Sequence, residues 1–136
     1  MPSKLFLLLT AALLLDASFW YIAFFSPPSE LSLYFLSVGQ GDSELIELPG
    51  PRPVRFLIDS GPPGGGVTSA LSSVMPLLGA HLDIAIASHA DLDHSGGFLD
   101  VFSRYPISGF AASGRTGAPA AWQKVQTAMP QRPIPP

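Results

Sequence analysis

The chain is 136 residues long, 47% hydrophobic and 12% charged, with a net charge of −3. That size allows one globular domain and excludes a catalytic architecture of ~200 residues. The seven Lys and Arg are scattered from Lys4 to Arg132 and form no basic patch, so charge does not advertise nucleic-acid binding, and with no cysteine there are no disulfides, thiolate metal sites or cysteine nucleophiles.

From Leu5 to Phe25 the chain is an almost unbroken run of Leu, Ala, Phe, Trp, Tyr and Ile. As a helix it is long enough to cross a hydrocarbon core of ~30 Å, which predicts a single transmembrane anchor over residues 1–25. Asp16 opposes insertion by ~2.5–3.5 kcal/mol, an amount that the surrounding Leu and Phe offset. A signal peptide is the alternative, but the segment from Phe24 to Pro28 lacks the small-x-small pattern of a cleavage site. Lys4 is the only basic residue before Arg52, so the positive-inside bias puts the N-terminus in the cytoplasm and the domain outside the cytoplasmic membrane.

Residues 26–30, Ser-Pro-Pro-Ser-Glu, break any helix and read as a short stiff linker. Leu31 to Val38, Glu44 to Leu48 and Val54 to Ile58 are strand-like, and tight turns between them suggest an antiparallel meander. Val67, Leu71, Val74, Leu77 and Leu78 are spaced as one apolar helix face, which Pro76 kinks or closes. Leu82 to Ser88 is a strand of the buried sort, Gly97 to Tyr105 a helix and Ile107 to Ala111 another strand. The order is that of a mixed α/β (α+β) domain over residues 31–112. Residues 113–136 form an Ala/Gly/Pro-rich tail with a possible helix at Ala120 to Ala128.

The chemistry concentrates where the buried strand gives way to a helix. Between Ser88 and Gly97 the chain reads Ser-His-Ala-Asp-Leu-Asp-His-Ser-Gly-Gly, with four potential metal ligands, His89, Asp91, Asp93 and His94, inside six residues. Imidazole and carboxylate suit zinc, manganese and iron. The alternative is that the acids cap the next helix and the histidines are exposed loop residues. The position at the end of a strand favours a site.

This loop resembles the His-x-His-x-Asp-His loop of the metallo-β-lactamase fold, in the variant where Asp replaces the second histidine. That variant is typical of the extracytoplasmic hydrolase domain of ComEC, the DNA-uptake competence channel, and its stand-alone relatives. Phe35 to Ser43, Phe-Leu-Ser-Val-Gly-Gln-Gly-Asp-Ser, is similar to that family's Leu-Asp-Val-Gly-Gln-Gly-Asp-Ser block. Leu57 to Gly61 matches its next strand, which ends in Asp-x-Gly. Three motifs in the right order make the match specific.

The resemblance implies up to two divalent ions, zinc or manganese, with His89 and Asp91 at the first position and Asp93 and His94 at the second. Asp93 would also serve catalysis. Asp59 would orient the ligands from behind, its alternative being a turn-initiating residue, and Asp42 is either another supporting carboxylate or a turn cap. His81, after Gly79 and Ala80, reads as structural. The implied activity is metal-dependent hydrolysis, phosphodiester cleavage rather than β-lactam opening, with single-stranded DNA as a candidate substrate. A membrane-tethered metal-binding module without turnover is the competing reading.

The chain departs from the family at Ser37, where the common block has Asp. Relatives also draw a further histidine and a bridging Asp from their second half, whereas here no histidine follows His94 and no acid follows Asp100. The family fold is an αββα sandwich, of which these residues would be the first half. The resemblance therefore implies a truncated or partial chain that wants its C-terminal half and is catalytically weak alone.

Overall fold

The structure, a computed structural model, describes residues 3–25, 28–64, 66–76, 79–114 and 120–128, with the backbone alone for 23–25 and 121. The helix α1 spans Lys4–Phe25. Its 22 residues reach ~33 Å at helical rise. It is apolar on every side, and nearly all of its described side chains are exposed. This one helix is long and apolar enough to cross a membrane. In the linker that follows, residues 26 and 27 lie outside the described residues.

Five strands form one sheet in the order β1-β2-β3-β4-β5, with β1 at Ser32–Phe35, β2 at Glu44–Leu48, β3 at Val54–Ile58, β4 at Leu82–Ala87 and β5 at Ile107–Ala112. The first three are an antiparallel meander, as the sequence suggests. β3, β4 and β5 run parallel, joined by helical crossovers. The fold is thus mixed α/β. β1 is shorter than the apolar run that announces it. Leu36 continues the pairing with one bond, its N–H donating to the Ser43 carbonyl at 2.8 Å, and both it and Val38 stay buried where the turn meets the core.

The helices α2 (Gly66–Val74), α4 (Phe98–Arg104) and α5 (Ala120–Ala128) gather on one face, α2 against α4 and α4 against α5. Each has a face at helical spacing: Val67, Ala70, Leu71 and Val74; Phe98, Val101, Phe102 and Tyr105; Trp122 and Val125. Beneath them the register lines up Tyr34, Leu45, Leu57, Ala85 and Phe110 across the five strands. Fully buried Leu or Phe in such a layer contributes about 1.5–3 kcal/mol each. α2 ends before Pro76, and Leu77 and Leu78 of the expected helix lie outside the described residues. Trp122 and Val125 are buried, and the Trp122 ring stands 6.4 Å from that of Phe110. The core therefore extends past residue 112, where the sequence alone places the end of the packed domain.

The opposite face carries Leu33, Ile46, Phe56 and Ile84 in one row and Phe35, Glu44, Ile58 and Ile86 in the next. None of these belongs to the described core, and Phe35 is 77% exposed.

Candidate metal centre

Strand direction brings the motifs together. Because β3 and β4 are parallel, with Ile58 beside Ile86, both deliver their following residues, Asp59 and Ser88, to the same end of the sheet. β2 runs the other way, so its first residue, Glu44, pairs with Ile58 at that end, and the β1–β2 loop with Asp42 lies there as well. Three segments separate in sequence become one rim.

Their backbones interlock. Ser60 N–H donates to the His94 carbonyl at 2.7 Å, and Gly97 N–H to the Gly61 carbonyl at 3.0 Å. Gly41 is required by both conformation and space: its φ is +120°, and a Cβ there would meet the Asp93 carbonyl oxygen at 1.9 Å. A Cβ on Gly97 would sit 2.3 Å from the Ser60 carbonyl oxygen. These glycines let the loops touch.

Asp59 is the hub. It adopts a left-handed backbone, φ 54°, which Asp tolerates better than most residues. Its carboxylate is buried and accepts three hydrogen bonds. Oδ1 takes the Ser88 N–H at 2.8 Å, and Oδ2 takes the Ser88 hydroxyl and His94 Nδ1, the latter at 3.0 Å. The Ser88 oxygen also lies 2.8 Å from His89 Nδ1.

These contacts assign the tautomers. A carboxylate only accepts, so His94 Nδ1 donates to Asp59. Ser88 has one proton, committed to Asp59, so His89 Nδ1 donates to Ser88. In its neutral form each ring is then left with a bare Nε2 lone pair, the form in which imidazole binds a metal. The rings stand 4.0 Å apart between centroids. His89 Nε2 faces Asp91 Oδ2 at 3.5 Å, and His94 Nε2 faces Asp42 Oδ2 at 3.9 Å.

The four loop residues thus reach different places. His89 and His94 converge, and with Asp59 they offer ligand atoms all within 4.8 Å of one another, a group that could hold a metal ion. Asp91 occupies the N-cap position of the short helix α3 (Leu92–Ser95) but makes no side-chain capping bond. The expected loop contains this helix because the Asp91 carbonyl accepts the N–H groups of both His94 and Ser95. Asp93 lies within α3, outside the convergent group, and acts on His94 through its charge.

Imidazole nitrogens beside carboxylate oxygens are a donor set that fits a divalent metal ion. Asp59, buried and already accepting three bonds, suits the role of holding the imidazoles from behind. His89 and His94, together with the exposed carboxylates of Asp91 and Asp42, form the open side of the site.

Burial opposes charge on His94, but the Asp59 hydrogen bond and the charges of Asp59, Asp93 and Asp42 outweigh it and raise its pKa above the ordinary histidine value. Glu44 is the residue that sequence reasoning misses. Burial, with Asp42 and Asp59 adding repulsion, raises its pKa from the ordinary glutamate value, against an opposing effect of His94. Its signal was faint, a charged residue facing an apolar strand row. His81 lies at the other end of β4, away from the rim, where it is 3.5 Å from Asp83 of the same strand and bonded to Ser108 Oγ of β5 at 3.1 Å.

Compared with family models, with curated proteins and with solved structures, the chain matches none.

Proposed function

We propose that this protein is a membrane-tethered, metal-dependent hydrolase of the metallo-β-lactamase type, related to the ComEC domain and acting on phosphodiesters such as single-stranded DNA outside the cytoplasmic membrane. One observation carries the reading: two histidines from one loop, each with Nδ1 engaged and a bare Nε2 turned toward a carboxylate. His89 with Asp91, and His94 beside them, would hold up to two ions, with Asp93 outside the convergent group. A divalent ion bound there supplies an activated water near neutral pH and polarises the bond under attack. The chain's own residues do the rest. Asp59 and Ser88 fix ring orientation and tautomer, Asp93 adds negative charge beside His94, and Glu44, whose pKa burial raises, stands at the rim.

The uncovered apolar sheet face supports the αββα reading, in which a second sheet packs on Ile46, Phe56, Ile58, Ile84 and Ile86. α1, with Lys4 on the cytoplasmic side, would be the anchor.

The test is cleavage of bis(p-nitrophenyl) phosphate and of single-stranded DNA by the full chain in detergent with Zn²⁺ or Mn²⁺. Slow, metal-dependent turnover that disappears in His94→Ala is expected. Equal rates for wild type and His94→Ala would sink the hydrolase reading. The exposure of the Asp91 and Asp42 side chains, 71% and 69%, favours a second reading: a metal-binding module whose centre is too open for turnover. Metal binding without cleavage would support it.

A further inference from the structure

We infer that Asp42, on the loop between β1 and β2, is a direct ligand of the ion held by His94 Nε2. The inference rests on the metal-centre reading above and adds to it a donor from a second loop.

Its Oδ2 lies 3.9 Å from that nitrogen. Two donors each about 2.0 Å from a tetrahedral ion lie about 3.3 Å apart. The His89–Asp91 pair stands at 3.5 Å, so both histidines have a carboxylate near the separation that a shared ion requires. Asp42 does not act as a turn cap. It anchors its loop through the backbone, its carbonyl accepting Gly61 N–H at 3.0 Å, and its carboxylate makes no hydrogen bond among the described residues. The side chain is 69% exposed, free to close the remaining distance without disturbing the core.

The loop is also built to be near. Gly41 lies against the Asp93 carbonyl with no room for a Cβ, and the Ser43 hydroxyl donates to the Asp59 carbonyl at 3.0 Å. Asp42 is therefore pinned on both sides, between the residue that orients His94 and the helix that carries it. An ion bound to both Asp42 and His94 would tie the β1–β2 loop to the motif loop, joining elements the sheet connects only at their bases.

The experiment is calorimetric titration of Zn²⁺ into the full chain in detergent at pH 8 and 0.5 M NaCl. Under these conditions, through-space attraction between exposed charges is screened. Wild type, Asp42→Asn and His89→Ala are compared, with circular dichroism to verify folding. Co²⁺ visible spectra and hydrogen exchange over residues 39–43 are recorded alongside. Asp42→Asn is expected to weaken Zn²⁺ binding by at least ~10-fold, the lower end for loss of even supporting partners. It should also alter the Co²⁺ bands and abolish metal-induced protection of the loop. Wild-type affinity with an unchanged Co²⁺ spectrum in Asp42→Asn, while His89→Ala binds poorly, would overturn the Asp42 assignment and leave the metal centre standing. No saturable binding to wild type would overturn both.

Discussion

Asp59 and His94, thirty-five positions apart in the chain, are joined by a 3.0 Å hydrogen bond from Nδ1 to Oδ2. The carboxylate is buried and the bond is charge-assisted, so it sets the ring's orientation and its tautomer together. Asp59→Asn keeps the shape but offers an amide N–H₂ on one side. With that group facing His94, Nδ1 becomes the acceptor and the proton moves to Nε2, where the metal would bind. Zn²⁺ affinity should fall ~10–100-fold. Nitrogen-15 NMR of the histidine rings checks the tautomer, and an unchanged Nδ1–H state would refute the assignment. Asp59→Ala goes further, stranding Ser88 and His94 donors at about 1.5–3 kcal/mol for the charged bond alone.

Ser88→Ala should loosen His89 rather than switch its tautomer. Without the hydroxyl, His89 Nδ1 loses its acceptor at 2.8 Å and the ring gains rotational freedom. Weaker metal binding is expected, with Ser88→Thr retaining most of it because the hydroxyl survives. Equal affinities for the Ala and Thr variants would show that the relay does not matter.

The metal-free protein should lose stability as pH rises above 6.5. His94 has a folded pKa above 6.5, so the folded state binds its proton more tightly than the unfolded chain. That contribution is fully present below 6.5 and disappears as pH rises through the raised folded value. Glu44 acts in the same direction lower down: its stabilising protonation is present below 4.5 and is lost as pH climbs through its raised folded value. Metal affinity has the opposite slope around His94, since protons compete for the site at low pH. Urea unfolding of the apo chain between pH 5 and 9, repeated with Zn²⁺, reads both signs. A rise in apo stability across the His94 transition would contradict the first.

Gly41→Ala and Gly39→Ala separate crowding from strain. Both glycines have positive φ, +120° and +88°, but only Gly41 has an atom in the way, the Asp93 carbonyl oxygen at 1.9 Å; Gly39 has nothing within 4 Å. Gly39→Ala should cost about 1 kcal/mol of backbone strain. Gly41→Ala should cost more and weaken metal binding too, because the loop must retreat from α3. Matching denaturation midpoints for the two variants would dismiss the close approach.

α1 should hold the protein in the bilayer through carbonate extraction. Release of the intact chain into the supernatant would argue against a spanning helix, whereas a shortened soluble chain would favour a signal peptide.

The sequence by itself determined the local elements and the chemistry on offer. Apolar runs between turn residues marked β2, β3 and β4, helical spacing marked α2 and α4, and the cluster from His89 to His94 announced ligands, because side-chain periodicity and ligand type are properties of neighbouring residues. The length and composition of Leu5 to Phe25 likewise marked α1. Only the tertiary structure decided which groups meet. That Asp59 holds His94, that Ser88 links Asp59 to His89, that Asp42 rather than Asp93 faces His94 Nε2, and that Glu44 stands at the rim all follow from β3 and β4 running parallel with β2 antiparallel beside them. Strand pairing brings residues far apart in the chain to one end of the sheet, and hydrogen bonds and charges depend on distance through space, which a linear pattern does not record.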